Sequence, residues 1–364
     1  MDFTHTDAQH DLGGLTRKIL SDRLTQERLR EVETGPNRLD RALWTQLAAA
    51  GVVAAALPES VDGGGFGLLE QCSVLIELGR TVAPVPYLAC IVMAASAVAR
   101  FGTEDQRARW AVPAGEGTLI LTAALTEDHS TTARAAARGW VLNGTKVVVP
   151  AGPVADAFVV PAETSGGVLV FVAQADDPGV HVQRQDMVDG DSAGWLELTD
   201  VALDADRILG TDGTQVLTWL RDRGTVGVCA LQLGVTERAL ELTADYGRER
   251  QQFGRAIGSF QAVAQRLADA YIDVEAIRLT LWQAAWRLSE GLDAATEVAT
   301  AKFWAADGGH RVAHTAVHVH GGVGIDVDHP LHRYFVAAKR NEFELGAATA
   351  QLLRLGAALA AESV

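Results

Sequence analysis

The chain has 364 residues, 48% of them hydrophobic and 21% charged, with 31 Lys+Arg against 46 Asp+Glu for a formal net charge of −15. That length buries a substantial core spread over two or three packed units. The composition is that of a soluble globular protein, and the acidic balance disfavours nucleic-acid phosphates, whose binding needs cationic neutralisation.

The N-terminal stretch MDFTHTDAQHDLGG carries acidic residues and no apolar run, so no secretory signal is expected. No stretch reaches the roughly 18 uninterrupted apolar residues that a membrane span needs. Residues 1–117 read as helical: LDRALWTQLAAAGVVA (39–54) and LLEQCSVLIELGRTVA (68–83) place apolar residues every three or four positions. Pro58, the Gly63–Gly65 run, Pro84 and Pro86 punctuate the loops between them. YLACIVMAASAVA (87–99) is the longest apolar candidate and fits a buried helix. Cys72, Cys90 and Cys229 stand apart with no CxxC spacing, which suits a reduced cytoplasm and argues against a disulfide framework or a structural zinc site.

From about residue 118 to 210 the period changes. TLILTAAL, GWVLNGTKVVVP, AFVVPA, GVLVFVAQ, GVHVQRQ and GWLELTDVAL are short, rich in β-branched residues and separated by Gly, Asp and Pro, the signature of strands. LNGT (142–145) reads as a tight hairpin, because Asn-Gly accepts the positive φ angles such turns require. A small antiparallel β domain is expected here. Helix returns near residue 212. In FQAVAQRLADAYIDVEAIRLTLWQAAWRL, Val263, Leu267, Ala270, Val274, Ile277, Leu281 and Leu288 step mostly by four and three. They predict one amphipathic helix about 40 Å long, of a kind that packs in a bundle or across a subunit interface. The expected organisation is a helical domain over 1–117, a β domain over 118–210 and a helical domain over 211–364.

Several residues have the chemistry of a binding site. Arg250 can hold a pyrophosphate through charge-assisted hydrogen bonds, and Phe253 beside it can cover an adenine or flavin ring; the plain alternative is a solvated charged turn at a helix end. Gly321 and Gly322 let backbone approach a ligand closely and aim N–H groups at phosphate oxygens, or else simply terminate a helix. His310, His314 and His318 share one helical face; two of them suffice to chelate a metal, but no acidic residue completes a known set, and buried or interface histidines are the plainer reading. The glycines at 63–67 lack a following Gly-Lys-Ser/Thr, and no Gly-x-Gly-x-x-Gly follows a strand, so neither a phosphate loop nor a Rossmann site is supported.

The order helix, β, helix and three motifs together resemble the acyl-CoA dehydrogenases along about residues 1–357. LWTQLAAAGVVAAALPESVDGGGFG is similar to that family's N-terminal stretch, YGRERQQFGRAIGSFQAVAQRLAD (246–269) to its Tyr-x-x-x-Arg-x-x-Phe-Gly signature followed by Phe-Gln, and HVHGGVGIDVDHPLHRYF (318–335) to its paired-glycine motif. The resemblance implies an α+β, mostly α fold with an N-terminal helical domain, a middle antiparallel β domain and a C-terminal four-helix bundle. It also implies FAD as cofactor and an acyl-CoA as substrate. Arg250, Gln252, Phe253 and Gln261 match residues that reach the neighbouring subunit's FAD. His318 stands where the family usually has Gln, and keeps one hydrogen-bond donor for the cofactor. Gly321, Gly322 and Thr126 complete the implied cofactor contacts.

The chemistry such a fold performs removes the α-proton of an acyl thioester with a carboxylate while hydride leaves the β-carbon. The resemblance puts that carboxylate on Leu345 or, alternatively, on Gly224, and neither is acidic. Glu344 is one residue early, and one step along a backbone turns the side chain elsewhere; the bland reading of Glu342 and Glu344 is a solvated loop edge. Leu345 would still present its backbone N–H, which in the family helps polarise the thioester carbonyl. In the β domain LTEDHSTTAR (125–134) keeps Thr126 and Glu127 but lacks the family's glycines, and Val148 replaces its flavin-side Trp. This pattern resembles the base-less partner subunit of the heterotetrameric acyl-CoA dehydrogenases of actinobacterial steroid side-chain degradation. The expected function is therefore a subunit of an FAD-dependent acyl-CoA dehydrogenase acting on a bulky acyl-CoA. Its expected partners are a second dehydrogenase-like subunit and an electron-transferring flavoprotein, with no nucleic acid and no membrane. A self-sufficient homotetramer using Glu344, and a non-catalytic acyl-CoA or nucleic-acid binder on the same fold, are the alternatives.

Overall fold

The computed structural model describes residues 4–362. In chain order come helices α1 (Asp7–Arg23), α2 (Gln26–Glu33), α3 (Arg41–Ala49) and α4 (Leu68–Thr81). A π-helical stretch (Leu88–Ala95) then runs into α5 (Ser96–Phe101), followed by α6 (Glu104–Gln106) and α7 (Val112–Gly115). The strands are β1 (Leu121–Ala123), β2 (Glu127–Ala135), β3 (Trp140–Val149), β4 (Ala157–Thr164), β5 (Gly167–Gln174), β6 (Val180–Asp186) and β7 (Ser192–Leu203). Beyond them lie α8 (Gly213–Glu249), the strands β8 (Gln251–Gln252) and β9 (Arg255–Ala256), α9 (Gln261–Ser289), α10 (Ala295–His320), α11 (Leu331–Phe343) and α12 (Ala348–Glu362). No helix among the described residues is long and apolar enough to cross a membrane. The three cysteines are buried and form no disulfide.

The helix–strand–helix order follows the sequence reading, but packing groups the chain into two compact units. One comprises the residues up to Gln26, Leu68–Ala83 and those from Thr225 onward; the other comprises Glu27–Gly67 and Pro84–Gly224. The first helices join the last ones because α4 and α8 cross at glycines. A Cβ on Gly79 would stand 2.2 Å from the Leu231 carbonyl oxygen, and one on Gly234 would stand 2.0 Å from that of Ile76. Arg80 then reaches Glu237 at 2.8 Å and Glu241 at 2.7 Å on α8, and the Tyr334 hydroxyl on α11 donates to the Arg80 carbonyl at 2.8 Å. Val82, Val235, Ala316, Leu331 and Tyr334 form an apolar core behind these bonds. α9 is continuous over 29 residues, about 43 Å, in line with the apolar period.

In the other unit the sheet runs β1-β4-β2-β3-β7-β6, with β5 paired to β4. Pairing is antiparallel, as expected, at β2–β3, β3–β7, β4–β5 and β6–β7, but β1 and β4 are parallel (Leu121↔Ala157), and so are β2 and β4 at Thr132↔Glu163. The β2–β3 excursion between β1 and β4 supplies the crossover that parallel neighbours require. Phe158, Phe171, Leu142, Leu196 and Val201 fill the core beneath. The Asn-Gly hairpin is corrected too. Asn143 and Gly144 lie inside β3, at a register shift against β7. Gly144 is there because a Cβ would stand 2.6 Å from Thr131 Cα, and Asn143 bonds across the bulge, accepting from the Asp200 N–H at 2.9 Å and donating to its carboxylate at 3.1 Å. The 87–99 stretch is helical and buried, as expected of a segment apolar all round.

At the far end of α10, His320 is 5% exposed and its ring stacks on Tyr246 at 4.3 Å, with His329 at 5.3 Å. Its Nδ1 is 2.9 Å from the Ala316 carbonyl oxygen. Burial, helped by His329, pulls this imidazole below its ordinary range. The unfolded chain therefore binds a proton near pH 6.5 that the folded chain refuses, so stability falls as pH drops through that value and levels off below the folded-state pKa. Denaturant unfolding from about pH 7.5 down to about pH 5 should show this loss. His320→Phe, which keeps the stack without the titration, should show a shallower slope; an unchanged slope removes His320 as its source.

Candidate functional site

Arg250 closes α8: its N–H bonds the Tyr246 carbonyl at 2.8 Å and its carbonyl accepts from Ile257 at 2.8 Å. Between these anchors β8 and β9 form a two-residue hairpin, with Gln251 opposite Ala256 and Gln252 opposite Arg255. The turn is Phe253–Gly254, both left-handed at φ 53° and 77°, the geometry of a tight hairpin that ordinarily selects Asn-Gly. A phenylalanine there is doubly unfavourable, strained by about 1–2 kcal/mol and 93% exposed. Arg255 sits over the Phe260 ring at 4.2 Å, and Gln261, exposed, opens α9. Arg248 pairs with Asp245 at 2.5 Å, whereas no carboxylate among the described residues pairs with the exposed Arg250. The hairpin is thus a projecting arm with a spare cation and an uncovered ring.

Gly321 and Gly322 follow α10. Gly321 has φ 67°, and nothing lies within 4 Å of where a Cβ on either glycine would stand. This exposed ledge fits the close approach of a pyrophosphate, and the Tyr246–His320 stack ties it to the arm carrying Arg250. His318 is exposed and, with His310, His314 and Arg266, lines an open groove of about 790 Å³ between α9 and α10. Among the described residues no group of three or more His, Cys, Asp or Glu is placed to hold a metal. His310 and His314 lie with ring centroids 4.2 Å apart; His310 Nδ1 is 3.1 Å from Glu342, and burial together with His310 lowers the His314 pKa.

Glu342 and Glu344 are not a solvated edge. Glu342, in the last turn of α11, is 14% exposed and pairs with Lys339 at 2.6 Å. Glu344 is 18% exposed and turns back to Arg340 at 3.5 Å. A helix end followed by a reversal puts its carboxylate on its own helix. Leu345 is left-handed at φ 56° and Gly346 at φ 102°, which bends the chain into α12. Gly224 is buried within α8.

The sequence reading missed Lys302, which holds this turn from behind. Lys302 is 0% exposed, donates to the Asn341 and Glu342 carbonyls at 2.9 and 3.1 Å, and has its pKa lowered by burial. Its position in the alanine-rich face of α10 was the available signal. Lys302 and His320 are 18 residues apart on α10, about 27 Å at about 1.5 Å per residue. The Leu345 turn and the Gly321 ledge therefore stand at opposite ends of one helix, and the chain does not bring its two sets of candidate residues together within this unit.

In the strand unit, Thr126 through Ser130 are exposed although β2 lies inside the sheet. The Thr126 carbonyl accepts from Val147 at 3.0 Å. Glu127 forms an ion pair with the buried Lys146, whose Nζ also donates to the Pro161 carbonyl at 2.7 Å. Val148 is left-handed at φ 53°, its N–H bonded to Gln185 Oε1 at 2.8 Å. Neither a glycine ledge nor an aromatic faces outward along 126–130, so this strand lacks the features that make the Gly321 end receptive.

Family models match the chain in order: the acyl-CoA dehydrogenase N-terminal domain over 6–118, the middle domain over 122–201 and the C-terminal domain over 211–360. The acyl-CoA dehydrogenase FadE27 of Mycobacterium tuberculosis is 52% identical over 99% of both chains. Among solved structures, the ChsE4–ChsE5 complex from Mycobacterium tuberculosis aligns with a TM-score of 0.97 at 53% identity over 99% of both chains. A variant of the Tcur3481–Tcur3483 steroid ACAD aligns with a TM-score of 0.92 at 42% identity over 98% of both. Three domain models in succession and a relative alike over nearly its whole length leave one conclusion: the chain belongs to the acyl-CoA dehydrogenase family of flavin-dependent oxidoreductases.

Proposed function

We propose that the chain is the base-less subunit of a heteromeric, FAD-dependent acyl-CoA dehydrogenase that oxidises a bulky, steroid-type acyl-CoA to the 2,3-enoyl-CoA. The observation that carries this reading is the separation of the two candidate regions, about 27 Å apart along α10, with the receptive one projecting outward as Arg250 and a 93%-exposed Phe253. A group bound there is completed by another subunit. The resemblance to the ChsE4–ChsE5 complex and to a steroid ACAD supports a heteromer and a bulky acyl chain.

Bound FAD supplies the acceptor for hydride leaving the substrate β-carbon. Arg250 binds the cofactor's phosphates, Phe253 and Gln252 cover its ring end, and the Gly321–Gly322 ledge takes backbone contacts. The α-proton goes to a carboxylate of the partner subunit, because Leu345 and Gly224 hold none and Glu344 is engaged by Arg340. Electrons leave to an electron-transferring flavoprotein, and the complex works in the cytoplasm. The net charge of −15 opposes a nucleic-acid role.

Arg250→Ala should strip FAD from the co-expressed complex, since each charge-assisted bond contributes about 1.5–3 kcal/mol. Flavin absorbance after gel filtration reads this directly, and full occupancy in the variant would remove the assignment. Light scattering should give a tetramer of two plus two, because exposed Tyr271, Ile272 and Leu279 on α9 leave apolar surface that seeks cover. A stable monomer that keeps FAD would sink the idea. Glu344→Gln in the complex should change kcat little; a fall of about 10²–10⁴-fold with FAD intact would return the base to this chain.

A further inference from the structure

The proposed phosphate contacts come from two helix ends, and each set is rigid on its own helix. Arg250 leaves the last turn of α8 with its N–H on the Tyr246 carbonyl, and the chain folds straight back, the Ile257 N–H returning to the Arg250 carbonyl at 2.8 Å. A Cβ on Gly258 would stand 2.9 Å from the Gly247 carbonyl oxygen, so the hairpin lies hard against the end of α8. The ledge belongs to α10 in the same way. His320 is the last residue of that helix and Gly321 follows it directly. A Cβ on Gly324 would stand 3.0 Å from both His320 Cβ and Val317 Cα.

The spacing between arm and ledge needs a separate cause. Further down, α8 and α10 share a core through Ala239, Ala313 and Ala316, small side chains with no flat or polar face to fix an angle. Among the described residues, no hydrogen bond or ion pair joins the last turn of α8 to that of α10. The Tyr246 and His320 rings do join them, stacked at 4.3 Å with 20° between their planes. Tyr246 stands one helical turn before Arg250, and His320 one residue before the ledge. The histidine is locked in place: the Ala316 carbonyl 2.9 Å from Nδ1 can only accept, so Nδ1 carries the proton. On its other side lies His329 at 5.3 Å, whose Nδ1 accepts the Leu331 N–H at 3.2 Å where α11 begins. A 5%-exposed ring gripped by a hydrogen bond and by two other rings resists sliding.

We infer that Tyr246 and His320 are positioning residues for the cofactor: their stack is the strut that sets the spacing between Arg250 and the Gly321–Gly322 N–H groups, so that a side-chain cation and a backbone ledge from different helices close on one pyrophosphate. This rests on the reading that Arg250 and the two glycines bind the FAD phosphates. Two contacts already held at the right spacing lose less freedom on binding than two that must find each other. The stack acts through Arg250 and the ledge, and its worth vanishes when either is gone.

The test is a double-mutant cycle read as FAD affinity, from the quenching of flavin fluorescence on titration into the co-expressed complex freed of its flavin. Arg250→Ala should weaken binding about 10- to 100-fold, and His320→Ala about tenfold. In the Arg250→Ala background, His320→Ala should cost less than about twofold, because the strut then has no arginine to place. His320→Phe, which keeps the flat face and loses the bond to Ala316, should stay within about threefold of the native affinity. A stack that merely stabilises the fold predicts equal losses in both backgrounds. That additivity overturns the proposal, and so does a His320→Ala complex that binds FAD as tightly as the native one. Should His320→Ala fail to fold, Tyr246→Leu takes its place in the same cycle, and the same two outcomes decide. Native affinity in Arg250→Ala would instead remove the cofactor reading of this end, and the inference with it.

Discussion

α11 ends with an exposed Phe343 on one side and a buried polar cluster on the other, and the carbonyl oxygens of Asn341 and Glu342 on the buried side must find donors there. An unbonded buried carbonyl costs about 1–3 kcal/mol, so a helix end at this place specifies its neighbours. Lys302 from α10 answers that demand, Gln351 from α12 bonds the Leu345 and Gly346 carbonyls just beyond the helix, Gln232 from α8 bonds those of Ala305 and Ala338, and Asn341 links Lys302 to Gln232. Because each donor comes from a different helix, the bonds also fix the mutual register of α8, α10, α11 and α12. Gly309 belongs to the same arrangement, since a Cβ there would stand 2.0 Å from Gln232 Nε2. Small residues on α10 admit the polar groups, the polar groups hold the turn, and the turn sets where Leu345 points.

The opposite end of α10 obeys the opposite rule. Beyond His320 the chain stops satisfying itself: Gly321 and Gly322 have open space above them, Arg250 meets no carboxylate among the described residues, and Phe253, edge-on to Phe260, is 93% exposed. Ile325 and Val327 are 63% and 66% exposed in the following loop. Isolated exposed apolar residues need no explanation, but a strained, nearly naked phenylalanine between a spare arginine and a glycine ledge does. On the proposed function, a flat aromatic ring and a phosphate chain would provide what all three lack.

Much of this was legible in the sequence, and the failures have physical reasons. Tyr246, Arg250, Phe253 and the Gly321–Gly322 pair could be read because their chemistry is local, a spacing within one turn or hairpin. The strands of apolar alternation could be read as well. β2 was not, since EDHSTTARA carries no apolar face and gains its strand state from β3 and β4 on either side. Asn143–Gly144 mimicked a hairpin because a bulge and a turn use the same residues; only the closeness of Thr131 distinguishes them. Lys302 was invisible for a similar reason, because a lysine in a helix reads as solvated until the carbonyls beneath it are known. Glu342 and Glu344 were misplaced at a solvated edge because their partners, His310, Lys339 and Arg340, are set by the α10–α11 packing and by the helix end itself.

The chemical character of the exposed surfaces argues for which face recruits a partner. In the strand unit, the uncovered part of β2 presents Asp128, His129 and Ser130, polar side chains that water satisfies, while the buried Lys146 of β3 is already held by Glu127 and Pro161. In the helical unit, the uncovered residues of α9 and its preceding hairpin include Phe253, Tyr271, Ile272 and Leu279. Burying each large apolar side chain yields about 1.5–3 kcal/mol, whereas burying the polar strand face would first cost desolvation. The exposed apolar side chains therefore favour association through the helical unit, the same unit that carries Arg250 and the glycine ledge. On the proposed function, a subunit built this way would gain its cofactor contacts and its assembly from one surface, so loss of the partner would remove both together.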